Sequence, residues 1–303
     1  MDIYLPIAGQ SVNALLIVAL GAVVGLLSGM FGVGGGFLTT PLLIFYGIPP
    51  PVAVASAATQ ITGASVAGLA VHIRRGGADL RMAAVMTVGG LFGSLLGAFV
   101  FRILQASGQI DLVIGLLYVV LLGWIGALML WDGLIALGYV QRRSDPEKVS
   151  RHSRWVAALP MRWRFDISGL YISPLAPLVL GFGTGVLTVL LGVGGGFILV
   201  PAMIYILGMP ARVVVGTSLA MIVAVTAATT FIHSVTTHSV DIVLAGLLLV
   251  GGVVGAQYGA MLTTRIKPDL LRLALAVLIL LVALRMFLGL FWRPDEIYSI
   301  AYL

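Results

Sequence analysis

The chain contains no cysteine, which removes disulfides, thiolate metal sites and cysteine nucleophiles together. Charge is nearly as scarce: 9% of the 303 residues are charged against 60% hydrophobic, at a mean hydropathy of +1.13, too few charges to coat a soluble body of this size. Carboxylates are missing from the interior of the apolar runs. Asp79 and Asp241 stand just ahead of long runs, where helix N-caps belong, and Asp132 closes another, so the usual buried Asp/Glu site for a proton or sodium ion is absent. No basic n-region precedes the first apolar run within residues 1–11, which speaks against a cleaved signal peptide. The net charge of +6 is gathered largely in one loop rather than on a soluble face, which excludes nucleic acid as a partner.

What the chain does have is apolar length. Val12 to Met30, Ala83 to Phe101, Leu112 to Leu130 and Leu270 to Leu288 each approach the roughly 20 residues that a bilayer core of about 30 Å requires, so the chain reads as an all-α polytopic membrane protein with lipid as its surroundings. It is also duplicated. Gly32-Val33-Gly34-Gly35-Gly36-Phe37 recurs as Gly192-Val193-Gly194-Gly195-Gly196-Phe197. The same shift pairs Pro41 with Pro201, and one or two single-residue insertions then pair Ser56 with Thr217, His72 with His233 and Asp79 with Asp241. Each half divides into about five hydrophobic segments: 12–31, 37–47, 52–73, 82–101 and 112–131, then 173–191, 197–207, 212–236, 242–264 and 270–292. The domain reading is a first transmembrane repeat over 1–140, a basic linker over 141–172 and a second repeat over 173–303.

Five crossings per half would turn the second repeat over relative to the first, giving two inverted-topology repeats. Basic residues on cytoplasmic loops test this. With the 142–164 loop in the cytoplasm, fourteen of the seventeen Lys and Arg residues fall on that side, Arg102, Arg285 and Arg293 being the others. The Arg154-Trp155 and Arg162-Trp163-Arg164 pattern suits a segment lying against headgroups. Gly89, Gly93 and Gly97, with Gly251, Gly255 and Gly259, recur every fourth residue and form faces on which helix backbones can approach closely.

The glycine blocks carry the chemistry. A triple glycine inside an apolar run breaks the helix, and such breaks persist in a membrane only where the freed amides face protein or a wet cavity. Paired breaks in two halves mark a transporter's binding site. Each restarting helix exposes unpaired N–H groups worth about half a positive charge, so an anion can rest there without a cationic side chain. The candidate ligands are Gly34, Gly35, Gly36 and Phe37, with Gly194, Gly195, Gly196 and Phe197, both breaks facing one pocket. The following segments add hydroxyls and an amide from Ser56, Thr59, Gln60, Thr217 and Ser218. A nucleotide phosphate loop is excluded because no Lys-Ser/Thr follows the glycines. His72 and His233 read as interfacial rather than as a proton relay, and they lie too far apart to serve a serine nucleophile, so the chain is not an enzyme. Neither cofactor nor metal is implied. An interior-negative potential expels an anion by roughly 2.3 kcal/mol per 100 mV, which makes export the simpler direction.

The GxGGGF block followed by proline, present at Gly32 to Pro41 and Gly192 to Pro201 in a glycine-rich chain of this length, resembles the sulfite exporter TauE/SafE family, also called the 4-toluenesulfonate uptake permease family. The resemblance implies a multi-pass transporter of the bacterial inner membrane that moves sulfite, sulfoacetate or related organosulfonates. Two alternatives stay open from sequence: a passive anion channel built on the same amides, and an uptake permease for organosulfonates.

Reporters fused at Ser144 and after Leu303 are expected to report opposite sides of the membrane. Reports from the same side would contradict the inverted arrangement.

Overall fold

The computed structural model describes residues 2–31, 34–74, 76–136, 160–262 and 268–291. These form one element series twice. The first half runs β1 (Asp2–Leu5), β2 (Gln10–Asn13), α1 (Ala14–Phe31), α2 (Gly36–Phe45), α3 (Pro50–Arg74), α4 (Leu80–Ala106) and α5 (Ile110–Ala136). The second runs β3 (Trp163–Phe165), β4 (Leu170–Ile172), α6 (Leu175–Leu191), α7 (Gly196–Tyr205), α8 (Ala211–Thr236), α9 (Ile242–Leu262) and α10 (Pro268–Phe291). The ten helices coincide with the ten hydrophobic segments to within a few residues.

The strand pairs are additions to the sequence reading, which starts each repeat at its first helix. Leu5 pairs with Gln10 and Phe165 with Leu170, one repeat apart, around left-handed Gly9 (φ 69°) and Gly169 (φ 68°). The signal was present in the recurrence of Ile7 and Gly9 as Ile167 and Gly169. Most of the basic insert, including Arg154 and Trp155, lies outside the described residues. Trp163 is exposed on β3.

The five-crossing reading of each half needs correction. At about 1.5 Å per residue, α2 and α7 span about 15 Å, half the bilayer core, and each turns back toward the end where its half began. The Asn13 amide donates to Tyr46 Oη at 3.2 Å, and Leu43 and Ile48 pack with Leu5, Val12 and Ile17. In the second half Leu207 and Met209 likewise join Phe165, Leu170 and Ile172. So α1 with α2, and α6 with α7, are re-entrant hairpins. The six helices long and apolar enough to cross a membrane among the described residues are α3, α4, α5, α8, α9 and α10. A hairpin and a pair of crossings both return the chain to the same side, so the sidedness assigned to every other loop is unaltered.

Helix directions follow from the glycine contacts. A methyl group added at Gly21, Gly25 or Gly29 of α1 would stand 2.5, 2.2 or 2.1 Å from the carbonyl of Leu248, Gly252 or Ala256 of α9. The numbers rise together, so α1 and α9 are parallel. The second half repeats this with α6 beside α4, where Gly181 and Gly185 meet the carbonyls of Met86 and Gly90 at 2.1 Å each. Close backbone approach replaces the hydrophobic driving force that lipid cannot supply, and it explains the four-residue glycine spacing in α4 and α9. Since α4 runs back against α3 and α1, while its counterpart α9 runs with α1, the two halves traverse the bundle in opposite directions.

Asp79 and Asp241 fix these seams, and the N-cap expectation holds. Asp79 Oδ1 accepts from the Met82 amide at 3.1 Å, while Oδ2 accepts from the Ser168 amide and hydroxyl at 3.1 and 2.8 Å. Asp241 Oδ1 accepts from the Leu244 amide at 3.1 Å, and Oδ2 from the Ile7 amide at 2.9 Å. Each buried carboxylate therefore starts one half's fourth helix and holds the other half's strand hairpin.

Gly25→Ala is expected to lower the apparent melting temperature in detergent, its methyl group costing roughly 1–3 kcal/mol of overpacking. Gly183→Ala, with no atom within 4 Å of the added carbon, should raise stability by about 0.5–1 kcal/mol. Equal shifts for the two variants would contradict the seam.

Candidate functional site

The two glycine elbows come from opposite ends of the bundle and meet near its middle. Gly34 and Gly194 are left-handed (φ 84° and 73°), and Gly35 and Gly195 cap α2 and α7 with nearly identical backbones (φ 73°, ψ −21° and φ 73°, ψ −18°). Consecutive left-handed residues are tolerated by glycine alone, which is why the block is written in glycine in both halves.

The elbows touch. A methyl group at Gly36 would lie 2.3 Å from the Gly192 carbonyl and 2.2 Å from Ile61 Cδ1. Gly34 and Gly194 both rest on Ile61 of α3 and Ile222 of α8. Beyond them the Phe37 and Phe197 rings stack at 5.2 Å with planes 9° apart, both buried. The expected open pocket between the breaks is therefore closed in this conformation. A cavity of about 430 Å³ lies instead at the end of the bundle, lined by Ile73, Asp79, Arg81 and Asp166.

The electrostatics of the elbows come from the backbone. Gly35 O accepts from the amides of Leu38 and Thr39, and Gly195 O from those of Ile198 and Leu199. The amides before these, on Gly36 and Phe37 and on Gly196 and Phe197, find no acceptor among the described residues. Pro41 and Pro201 inside the short helices also withhold the donors that the Phe37 and Phe197 carbonyls would receive. The side chains beside Gly34, Gly35, Gly194 and Gly195 are Val24, Ser28, Ile61, Thr184, Thr188, Ile222 and Thr226, all uncharged. The result is two facing N-termini of a positive partial charge in a neutral setting.

The α3–α8 crossing beside the elbows is polar. Thr62 donates to Thr226 at 2.8 Å and Thr59 pairs with Thr230 at 3.3 Å. Thr39, four residues after Gly35, donates to Gln60 Oε1 at 2.7 Å, tying the first short helix to α3.

Of the residues proposed from sequence, the structure brings together the two glycine-phenylalanine blocks and, through Thr39, Gln60, while Thr59 pairs with Thr230 across the α3–α8 crossing. It does not bring Ser56, Thr217 or Ser218 into this cluster. Ser56 Oγ accepts from the Asp241 amide at 3.2 Å, and Thr217 Oγ1 accepts from the Asp79 amide at 2.8 Å, at opposite ends of the bundle. Ser218 Oγ donates to the Val215 carbonyl at 2.9 Å. The recurrence of Ser56 as Thr217 reflects the seams rather than a ligand. The interfacial reading of His233 is also corrected: the ring is 1% exposed, edge-on to Phe101 at 4.7 Å. Two further residues touch this region without a sequence signal: Thr39, bonded to Gln60, and buried Tyr118, whose hydroxyl donates to the Leu191 carbonyl just before the second elbow. Thr39 is a second hydroxyl in a helix too short to show a periodicity, and Tyr118 reads as one more apolar residue of a long run.

The profile of the family described as Sulfite exporter TauE/SafE matches residues 17–286. The chain belongs to the TauE/SafE family. It is 30% identical over 273 residues to the "Probable membrane transporter protein YjnA" of Bacillus subtilis, covering 89% of this chain and 98% of that protein. It is 28% identical over 252 residues to a "Probable membrane transporter protein" of Xylella fastidiosa, covering 82% and 84%. A shorter match, 27% over 139 residues, joins it to "Sulfite exporter TauE/SafE family protein 1" of Arabidopsis thaliana, covering 44% of this chain and 31% of that protein. No solved structure matches. A TauE/SafE chain of this build is a multi-pass membrane transporter and not an enzyme.

Gln60→Ala is expected to weaken transport more than Thr62→Ala. It removes the 2.7 Å acceptor of Thr39 and leaves that hydroxyl only a longer, 3.4 Å contact with the Gly35 carbonyl, whereas Thr226 retains its 2.8 Å bond to the Ile222 carbonyl. Equal, negligible effects on initial transport rates would remove Gln60 from the site.

Proposed function

We propose that this transporter exports small sulfur-containing anions, sulfite, sulfoacetate or a related organosulfonate, by alternating access, holding the anion at the N-termini of α2 and α7. One observation carries the reading: two re-entrant elbows, entering from opposite ends, meet, and their first helical amides have no acceptor among the described residues. An anion between them receives N–H donors from both halves. Among the described residues the side chains nearest the elbow glycines are uncharged, which limits the cost of release, as transport demands.

The two halves act as inverted repeats. Their opposed directions let one arrangement open toward one side of the membrane and its mirror-related counterpart toward the other. The closed Phe37–Phe197 contact corresponds to an occluded state, which rocking of the halves opens. Arg81 and Arg164, both paired with Asp166, and Arg74 and Arg212 lie at the end shared by the α3–α4 turn and the β3–β4 hairpin. The positive-inside rule makes that end cytoplasmic, in a bacterial inner membrane. A sulfur-containing substrate fits the family name and the name of the plant relative, and an anion fits the two facing helix N-termini.

In sulfite-loaded proteoliposomes, saturable counterflow of radiolabelled sulfite is expected. Gly36→Ala should cut it by roughly tenfold or more, since 1.4 kcal/mol of overpacking suffices for tenfold. Single-channel conductance in place of saturation would favour a channel. Full activity of Gly36→Ala would overturn the site.

A further inference from the structure

The surroundings of the two elbows repeat position for position. A methyl group added at Gly35 would meet Val24 and Ser28 of α1 at 2.8 and 3.1 Å, and one added at Gly195 would meet the matching residues of α6, Thr184 and Thr188, at 3.0 and 3.2 Å. One residue earlier, Gly34 and Gly194 both rest on Ile61 and Ile222, which are matched across the halves, and Gly194 also meets the Thr226 methyl at 3.4 Å. The repeat matches Thr226 with Ser65. Ser65 stands one helical turn beyond Ile61 on the same face of α3, so the repeat sets it beside Gly34.

These two side chains are bonded differently. The Thr226 hydroxyl donates to the Ile222 carbonyl and accepts from Thr62, both at 2.8 Å. Ser65 is fully buried, yet its hydroxyl has no hydrogen-bond partner among the described residues. It does not turn back on its own helix, and the residue that matches Thr62 is Val223, which has no hydroxyl to offer. Serine also lacks the methyl group with which Thr226 meets Gly194. A polar group left unpaired in the interior is costly unless water or a ligand completes it.

We infer that Ser65 donates its hydroxyl to one oxygen of the transported anion, so that the site selects a head with three oxygens, a sulfite or a sulfonate, over a two-oxygen carboxylate. The inference rests on the elbows being the anion site. The amides that start α2 and α7 take one oxygen each, and Ser65 takes the third. A carboxylate leaves the Ser65 hydroxyl unpaired, and a site built around a donor rejects a ligand that does not use it.

Methanesulfonate and acetate, which share a methyl group and differ in the head, test this as competitors of radiolabelled sulfite counterflow in proteoliposomes. In the unmodified protein methanesulfonate is expected to inhibit at concentrations at least about tenfold below acetate. Ser65→Ala should raise the half-saturation concentration for sulfite and the inhibitory concentration of methanesulfonate about tenfold, the loss of one hydrogen bond to a charged ligand, and leave acetate nearly unchanged. Its melting temperature without anion should hold or rise, because an unpaired buried hydroxyl has been removed. Ser65→Thr, whose hydroxyl can turn to the Ile61 carbonyl as Thr226 turns to that of Ile222, should resemble Ser65→Ala. Equal inhibition by the two competitors in the unmodified protein, or a Ser65→Ala variant that melts lower and weakens both alike, would overturn the inference. So would unchanged sulfite affinity in Ser65→Ala while Gly36→Ala loses transport, a result that leaves the elbows standing as the site. Full transport by Gly36→Ala would instead overturn the elbows and this role of Ser65 with them.

Discussion

Contact between the two glycine elbows depends on backbone approaching backbone inside lipid, and most of the rest of the molecule exists to permit it. Gly36 reaches the Gly192 carbonyl only because it carries no Cβ, and Gly192 fits against Val54 of α3 for the same reason. The short helices can reverse direction only because Gly34, Gly35, Gly194 and Gly195 accept left-handed geometry. In water such breaks would be hydrated and unremarkable. In a membrane the freed amides need another partner, and bringing two breaks face to face shields them from lipid; in the proposed function an anion is that partner.

The glycine seams and aspartate caps serve that meeting. The α1–α9 and α4–α6 pairs each join one half to the other, so neither half forms its closest helix packing alone. Asp79 and Asp241 extend the exchange by binding the start of one half's helix to the other half's strand hairpin. These mixed pairs surround a centre where both elbows and the Thr59–Thr230 and Thr62–Thr226 contacts lie.

Hydrophobic length and the repeated block made the helices legible in the sequence, and the capping role of Asp79 and Asp241 could be read from their places ahead of long runs. The re-entrant path of α2 could not be read that way. Ten apolar residues are short for a crossing, but only the return of Tyr46 to Asn13 shows which way they run. Ser56 and Thr217 misled because recurrence in both halves marks any symmetric contact, and theirs is with the amides of Asp241 and Asp79. The difference between His72, whose ring meets the Gly68 carbonyl, and His233, whose ring meets that of Val189, was invisible because identical residues at matched positions say nothing of which carbonyl each ring meets.

The central claim is that residues 37 and 197, far apart in the chain and belonging to opposite halves, adjoin at the transport site. Because the native chain has no cysteine, Phe37→Cys combined with Phe197→Cys provides a clean pair for a short thiol-specific cross-linker in membranes. The account predicts intramolecular cross-linking in high yield that arrests sulfite transport and is reversed, with activity, when the link is cleaved. Failure of the pair to cross-link, or unchanged transport by the linked protein, would contradict it.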